Sequence, residues 1–142
     1  MENNEAQNSE ATTDQLEVRK LLTINRIVKS ISDEKPLNES LLQVCHIIPE
    51  GYIYPDYVNV RISYGDKQVT TKNFKETSWV ERQQISLPDQ TDGLVEVFYT
   101  HEYLEHANND YLNKNSEYIE NIAQLISGLI ARNQLEILLH EN

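Results

Sequence analysis

Two histidines and two glutamates crowd one hexapeptide, His101-Glu102-Tyr103-Leu104-Glu105-His106. These residue types suit metal binding or acid–base work. A helical zinc motif sets two histidines four residues apart, so that both imidazoles face one ion, with a glutamate between them as base. Here the spacing is five, and the polar run His101–Asn113 reads as a loop that holds nothing in register. Asp110 is a further ligand type nearby. The same composition fits a solvated loop. The expectation is therefore no metal, no cofactor and no catalytic residue. A metal-dependent enzyme built on His101, Glu105 and His106 stands as the weakest of three functional readings.

Cys45 and His46 are the other reactive pair. Neighbours on a helix point about 100° apart, so adjacent positions do not make a nucleophile–base dyad. Cys45 is the single cysteine, which excludes an internal disulfide, a cysteine-rich zinc site and resolving-thiol chemistry. It falls in an apolar stripe and reads as a small buried hydrophobe. His46 falls at the C-terminal end of its helix, where an imidazolium suits the dipole. Four scattered glycines build no phosphate-binding loop.

What remains is recognition. Tyr52, Tyr54, Phe74, Trp79 and Tyr99 supply aromatic surface and Arg61 a charged anchor. Brought together at the sheet they would line a small-ligand pocket. The same aromatics would serve equally as core or cross-strand pairs.

The chain must position these groups with modest resources. Its 142 residues suit one domain. Net charge is −11, from 12 basic and 23 acidic residues, which disfavours nucleic acid and anionic membrane as partners. The N-terminus lacks the basic and apolar regions of a signal peptide. No apolar run approaches the ~18 residues of a membrane span. The expected compartment is the cytoplasm. Residues 1–13 read as a disordered polar tail and 140–142 as a short one, bracketing a single domain over 14–139.

Apolar spacing predicts a helix over 14–31, with Asp14 and Glu17 as a capping pair. Leu21, Ile24, Val28 and Ile31 make its seam, and Leu16, Leu22 and Ile27 widen it. A second helix spans 37–48 and is ended by Pro49. Strands and turns fill 57–100. Tyr57–Tyr64 alternates, Gly65-Asp66 turns, and Lys67–Thr71 pairs back. Trp79–Leu87 alternates again. Asp92-Gly93 closes a turn before Leu94–Thr100, which is apolar on both faces and so belongs at the centre of the sheet. A last helix spans 114–139, capped by Asn115 or Ser116. Ile119, Ile122, Ile126, Leu129 and Asn133 form a heptad seam, with Asn133 as the polar register residue. Gly128 inside it asks for a close approach of another element, or is a neutral blemish. The expected fold is α+β: an antiparallel sheet of about four to five strands flanked by helices, with the long terminal helices packed together.

Four motifs occur in order: His46-Ile47-Ile48-Pro49-Glu50-Gly51-Tyr52-Ile53-Tyr54-Pro55 through Arg61-Ile62; Asn73-Phe74-Lys75-Glu76-Thr77-Ser78-Trp79; Gly93-Leu94-Val95-Glu96-Val97-Phe98-Tyr99; and Tyr111-Leu112 with Ile119-x-x-Ile122-Ala123. Over roughly residues 16–136 the chain resembles the short GAF-like sensor domains of bacterial signalling proteins. Those domains occur before histidine kinase, phosphatase and phosphoenolpyruvate-utilising modules. The resemblance implies a non-catalytic regulatory module that dimerises through its terminal helices. Leu21, Ile24, Val28, Ile119, Ile122, Ile126, Leu129 and Asn133 would then be interface, and a histidine kinase or other output module a partner. Two departures stand out. Tyr52 takes a place that is often Trp, and no output module follows Asn142, so the chain is read as a stand-alone regulator or a piece of a larger protein. The rival to a ligand sensor is an interaction module with no ligand at all.

Overall fold

A helix runs until something stops it, and the first proline is Pro36 and the first glycine Gly51. The computed structural model describes the backbone of residues 3–107 and 116–141, and the side chains of 15–107 and 116–140. In it helix α1 spans Asn3–Ser32. It includes 3–13, which polarity marks as a tail. Polarity denies those residues burial, but Glu, Ala and Gln are good helix formers. Asp14 therefore lies inside the helix rather than at its cap.

The face that α1 buries is Leu16, Lys20, Thr23 and Ile27. Leu21 and Val28 of the expected seam are exposed, while Ile24 and Ile31 are partly buried against the core. The stripe is thus rotated by about one residue. Two polar residues lie in it and are satisfied locally. Thr23 Oγ1 donates to the Arg19 carbonyl at 2.7 Å, and Lys20 Nζ lies 3.4 Å from Glu17.

Helix α2 spans Leu37–Ile47 and buries Leu37, Ser40, Leu41, Val44 and Cys45. A turn of 3₁₀ helix, Ile48–Gly51, follows with Pro49 near its start. Gly51 is required here. A Cβ would lie 2.4 Å from the Tyr118 ring, and the Tyr118 hydroxyl donates to the Ile48 carbonyl at 2.8 Å. A second such turn, Pro55–Tyr57, feeds the sheet.

The sheet has four antiparallel strands: β1 (Val58–Tyr64), β2 (Lys67–Thr70), β3 (Val80–Ile85) and β4 (Gly93–Tyr99), in the order β2-β1-β4-β3. β4 is central, as its two apolar faces require. Val58, Val60, Ile62, Ile85, Val95, Val97 and Tyr99 point to the helices and are buried. Gly65, at φ +58°, opens the two-residue β1–β2 turn. Gly93 is not a turn residue. It pairs with Ile85 across the sheet, where a Cβ would come within 2.8 Å of the Ile85 Cβ. The left-handed residue of that connection is Gln90, at φ +63°.

The β2–β3 connection passes from one edge of the sheet to the other. Thr71 N–H donates to the Val60 carbonyl at 3.0 Å, and Thr77 Oγ1 to the Tyr99 carbonyl at 2.8 Å, so both ends of this strap are tied down.

His101–His106 is helix α3 rather than loop. Thr100 caps it by accepting from the Tyr103 N–H at 3.3 Å, and the fully buried Tyr103 anchors it. Helix α4 spans Ser116–Glu141. Asp110, Tyr111, Leu112 and Asn115 lie outside the described residues. Ile119, Ile122, Ile126 and Leu129 are buried in the shared core. That corrects their placement at a dimer seam: the sheet's inner face needs cover, and these residues supply it. Gly128 is exposed, and a Cβ there would meet nothing within 4 Å, so no close approach inside the protomer explains it.

α1 and α4 lie side by side and run the same way. Glu17, Lys20, Leu21 and Ile24 share one hollow with Glu117, Tyr118 and Asn121, and further along Arg132 donates to the Ile31 carbonyl.

Candidate functional site

The six aromatic and charged candidates do not form one site. Tyr52 and Tyr99 lie on the inner side of the sheet, buried, with ring centroids 5.9 Å apart in an edge-on contact. Tyr103 and Tyr118 pack against the same Tyr52 ring at 6.3 and 5.6 Å. Tyr54 joins this cluster from its edge, against Tyr103 and His106. Arg61 and Phe74 lie on the opposite, outer face. Trp79 is 46% exposed near His101. The reason is strand parity. Arg61 is odd on β1 while its neighbours Val60 and Ile62 point inward, and in the antiparallel register Arg61 opposes Glu96, one residue off from inward Val97.

The outer face carries a charge network. Arg61 Nε donates to Glu96 at 2.7 Å, and Arg82 Nε donates to the other Glu96 oxygen at 2.9 Å. Glu76, on the strap, takes the Arg61 Nη1. The Arg61 guanidinium also lies over two rings, 5.4 Å from the Phe74 centroid and 5.1 Å from that of Phe98. The arginine hydrogen bonds, Arg61 first, hold the buried Glu96 carboxyl below its usual range. Two arginines and two glutamates balance, and the arginine that sequence suggests as a ligand anchor is occupied by the chain itself.

On the inner face Glu81 points from β3 toward the tyrosines. One carboxylate oxygen accepts from the Tyr99 hydroxyl at 2.9 Å, and the other has no hydrogen bond among the described residues. Burial pushes this carboxyl above its usual value, against the opposing pull of Tyr99 and Lys20.

The reactive residues are placed apart. His101 Nε2 lies 2.9 Å from Glu105, whereas His106 faces Tyr54 and Tyr57. Those two histidines do not converge, and no group of three metal-ligating side chains occurs among the described residues. Cys45 is wholly buried, its thiol donates to the Val60 carbonyl at 3.4 Å, and burial pushes its pKa up to about 12. His46 Nδ1 is 2.8 Å from the Leu42 carbonyl within its own helix.

The outer surface of the helices is different in kind. α1 exposes Val18, Leu21 and Leu22, the last two at 68% and 60%. Val18 and Leu22 border an open groove with Ile53 and Pro55, and Arg19 and Arg26 stand at its rim. Arg19 donates to the Tyr52 carbonyl at 3.2 Å, and Arg26 pairs with Glu50. Beyond Asn133, α4 exposes Leu135, Ile137 and Leu139. Sequence periodicity passed over Val18 and Leu135–Leu139, and placed Leu22 in the buried stripe of the first helix, where the structure exposes it. One signal was present: Leu135, Ile137, Leu138 and Leu139 are too closely spaced for one helical face. No helix among the described residues is long and apolar enough to cross a membrane. Compared with protein-family models and with curated proteins, the chain matches none.

Proposed function

We propose that the chain is a non-catalytic regulatory module, GAF-like in arrangement, that works by protein–protein contact and pairs with a second copy through its terminal helices. One observation carries this: α1 and α4 lie together on one side of the sheet, and both turn large apolar residues, Val18, Leu21, Leu22, Leu135 and Leu139, outward. Large apolar residues left exposed on both helices, near the start of the described part of α1 and at the end of α4, mark interaction sites more often than a bare surface. The four-helix arrangement that two copies would form is a common way to cover such faces. A histidine kinase or other signalling output module is the client that the family resemblance implies.

A small-ligand pocket built on Tyr52, Tyr54, Arg61, Phe74, Trp79 and Tyr99 finds no support in their placement. Two are packed in the core and the arginine is satisfied by glutamates. An interaction module without a ligand is the better fit.

Light scattering over a concentration series tests the pairing. The expected result is a dimer, shifted to monomer by L21E/L22E with the helical circular dichroism unchanged. A protein that stays monomeric up to sub-millimolar concentration would sink the proposal.

A further inference from the structure

We infer that the outer face of the sheet carries a binding site for the acidic side chains of an extended peptide, built from Arg61 and Arg82 and occupied within the chain by Glu76. The site lies on the side of the sheet away from the helices, so it stands whether or not the helices pair. Arg61, Glu96 and Arg82 form one cross-strand row over β1, β4 and β3. The buried Glu96 carboxylate takes each arginine by its Nε, at 2.7 and 2.9 Å. A guanidinium held by Nε keeps its outer Nη edge for a second oxyanion, and that planar edge matches a carboxylate. Of the four Nη nitrogens in this row, only Arg61 Nη1 has a hydrogen-bond partner among the described residues, and that partner is Glu76.

Glu76 acts as a stand-in for that peptide. Its side chain is 62% exposed on an irregular stretch of the strap, and an exposed ion pair contributes little to stability. Phe74, two residues before it, rests its ring 5.4 Å from the same guanidinium. The strap thus lays an aromatic ring and a carboxylate on Arg61, as a docked segment would. Without Glu76 the row sets two arginines against one carboxylate. A carboxylate cancels that single excess charge, whereas a phosphoryl group, with up to about two negative charges, overshoots it. The Arg82 side chain is 54% exposed, so the row is open to solvent. An open face covers too little of a small acid to hold it, whereas a peptide adds contacts along its length, with partly exposed Leu94 and Ser63 in the next row. An extended segment with acids at alternate positions presents them on one face.

Fluorescence anisotropy of a labelled Glu-Ala-Glu-Ala-Glu peptide, titrated with the full chain, tests the site. E76Q removes the internal competitor at an exposed position, and E76Q/R82Q then removes one arginine while Arg61 still holds Glu96; circular dichroism checks that both fold. The expected result is binding to E76Q at least several-fold tighter than to the parent. That gain is lost in E76Q/R82Q, and the Gln-Ala-Gln-Ala-Gln counterpart does not bind. Equal binding by the parent, E76Q and E76Q/R82Q, or none by folded E76Q, overturns the site. Displacement of the peptide by an equal concentration of glutarate overturns the peptide as occupant and assigns the arginines to a small acid. None of these readings depends on whether light scattering finds a dimer.

Discussion

Arg61 on β1 and Glu96 on β4 are direct cross-strand partners, and their side chains join at 2.7 Å on the outer face of the sheet. Glu96 is buried and also takes Arg82, so a single carboxylate links three adjacent strands. Arg61 reaches on to Glu76 and so fastens the strap as well.

Removing Arg61 leaves that buried carboxylate with Arg82 alone. Breaking a buried pair from one side costs roughly 3–5 kcal/mol, and the surviving arginine reduces this to an expected loss of about 2–3 kcal/mol for R61M. Glu76 is exposed, so E76Q is expected to cost less than about 1 kcal/mol. Replacing both buried partners, R61M/E96L, recovers most of the loss, because no charge is then left unpaired. Urea unfolding of the three variants measures this series. Equal losses for R61M and E76Q would show that the strap contact, not the buried pair, matters.

Glu81 and Glu96 give stability opposite dependences on pH. Burial raises the folded-state pKa of Glu81, so its contribution is present below the ordinary glutamate value and is lost as pH rises through the raised one. The hydrogen bonds from Arg61 and Arg82 lower that of Glu96, so its contribution is present above the ordinary value and is lost as pH falls through the lowered one. Lys20 from α1 and the tyrosines 52 and 99 face Glu81. E81Q keeps an acceptor for the Tyr99 hydroxyl and removes the titration. Its urea midpoint is expected to exceed that of the parent at neutral pH, with the gap closing toward acid. A gap that widens toward acid would contradict the assignment.

Two glycines are expected to respond to alanine with opposite signs. At Gly51 the added Cβ runs into the Tyr118 ring, whose hydroxyl is held by the Ile48 carbonyl, so G51A overpacks a fixed contact and costs about 1–3 kcal/mol. At Gly128 the Cβ meets nothing, so G128A gains about 1 kcal/mol of helix propensity. Thermal denaturation of each variant reads both effects. A loss at Gly128 would point to a neighbour on that face in the assembled protein.

Much of this was legible from pattern. Alternation at Val58, Val60 and Ile62 locates β1, and the two apolar faces of Leu94–Tyr99 mark β4 as central. Helix α3 escaped because its polar surface outweighs its one fully buried residue, Tyr103, and the half-buried Leu104 beside it. The buried stripe of α1 escaped because Lys20 and Thr23 occupy it while Leu21 and Leu22 do not, and apolar spacing alone follows the leucines. The aromatic residues were legible as a set but not as two sets, since the side of the sheet each takes depends on a register that no single strand reveals. The Arg61–Glu96 link is of that kind: 35 residues apart in the chain, it exists only once β1 and β4 are paired.

β3 is an edge strand, and Glu81 points from it toward the interior. An edge offers a row of unmet backbone groups on which another chain's strand can grow. A strand added beside β3 would extend the inner face next to a carboxylate already short of partners, and would have to bury it more deeply. The residue that weakens the folded chain at neutral pH thereby discourages filament growth along the sheet. This predicts a division of labour in the protein, with association directed to the helices and denied to the β3 edge of the sheet.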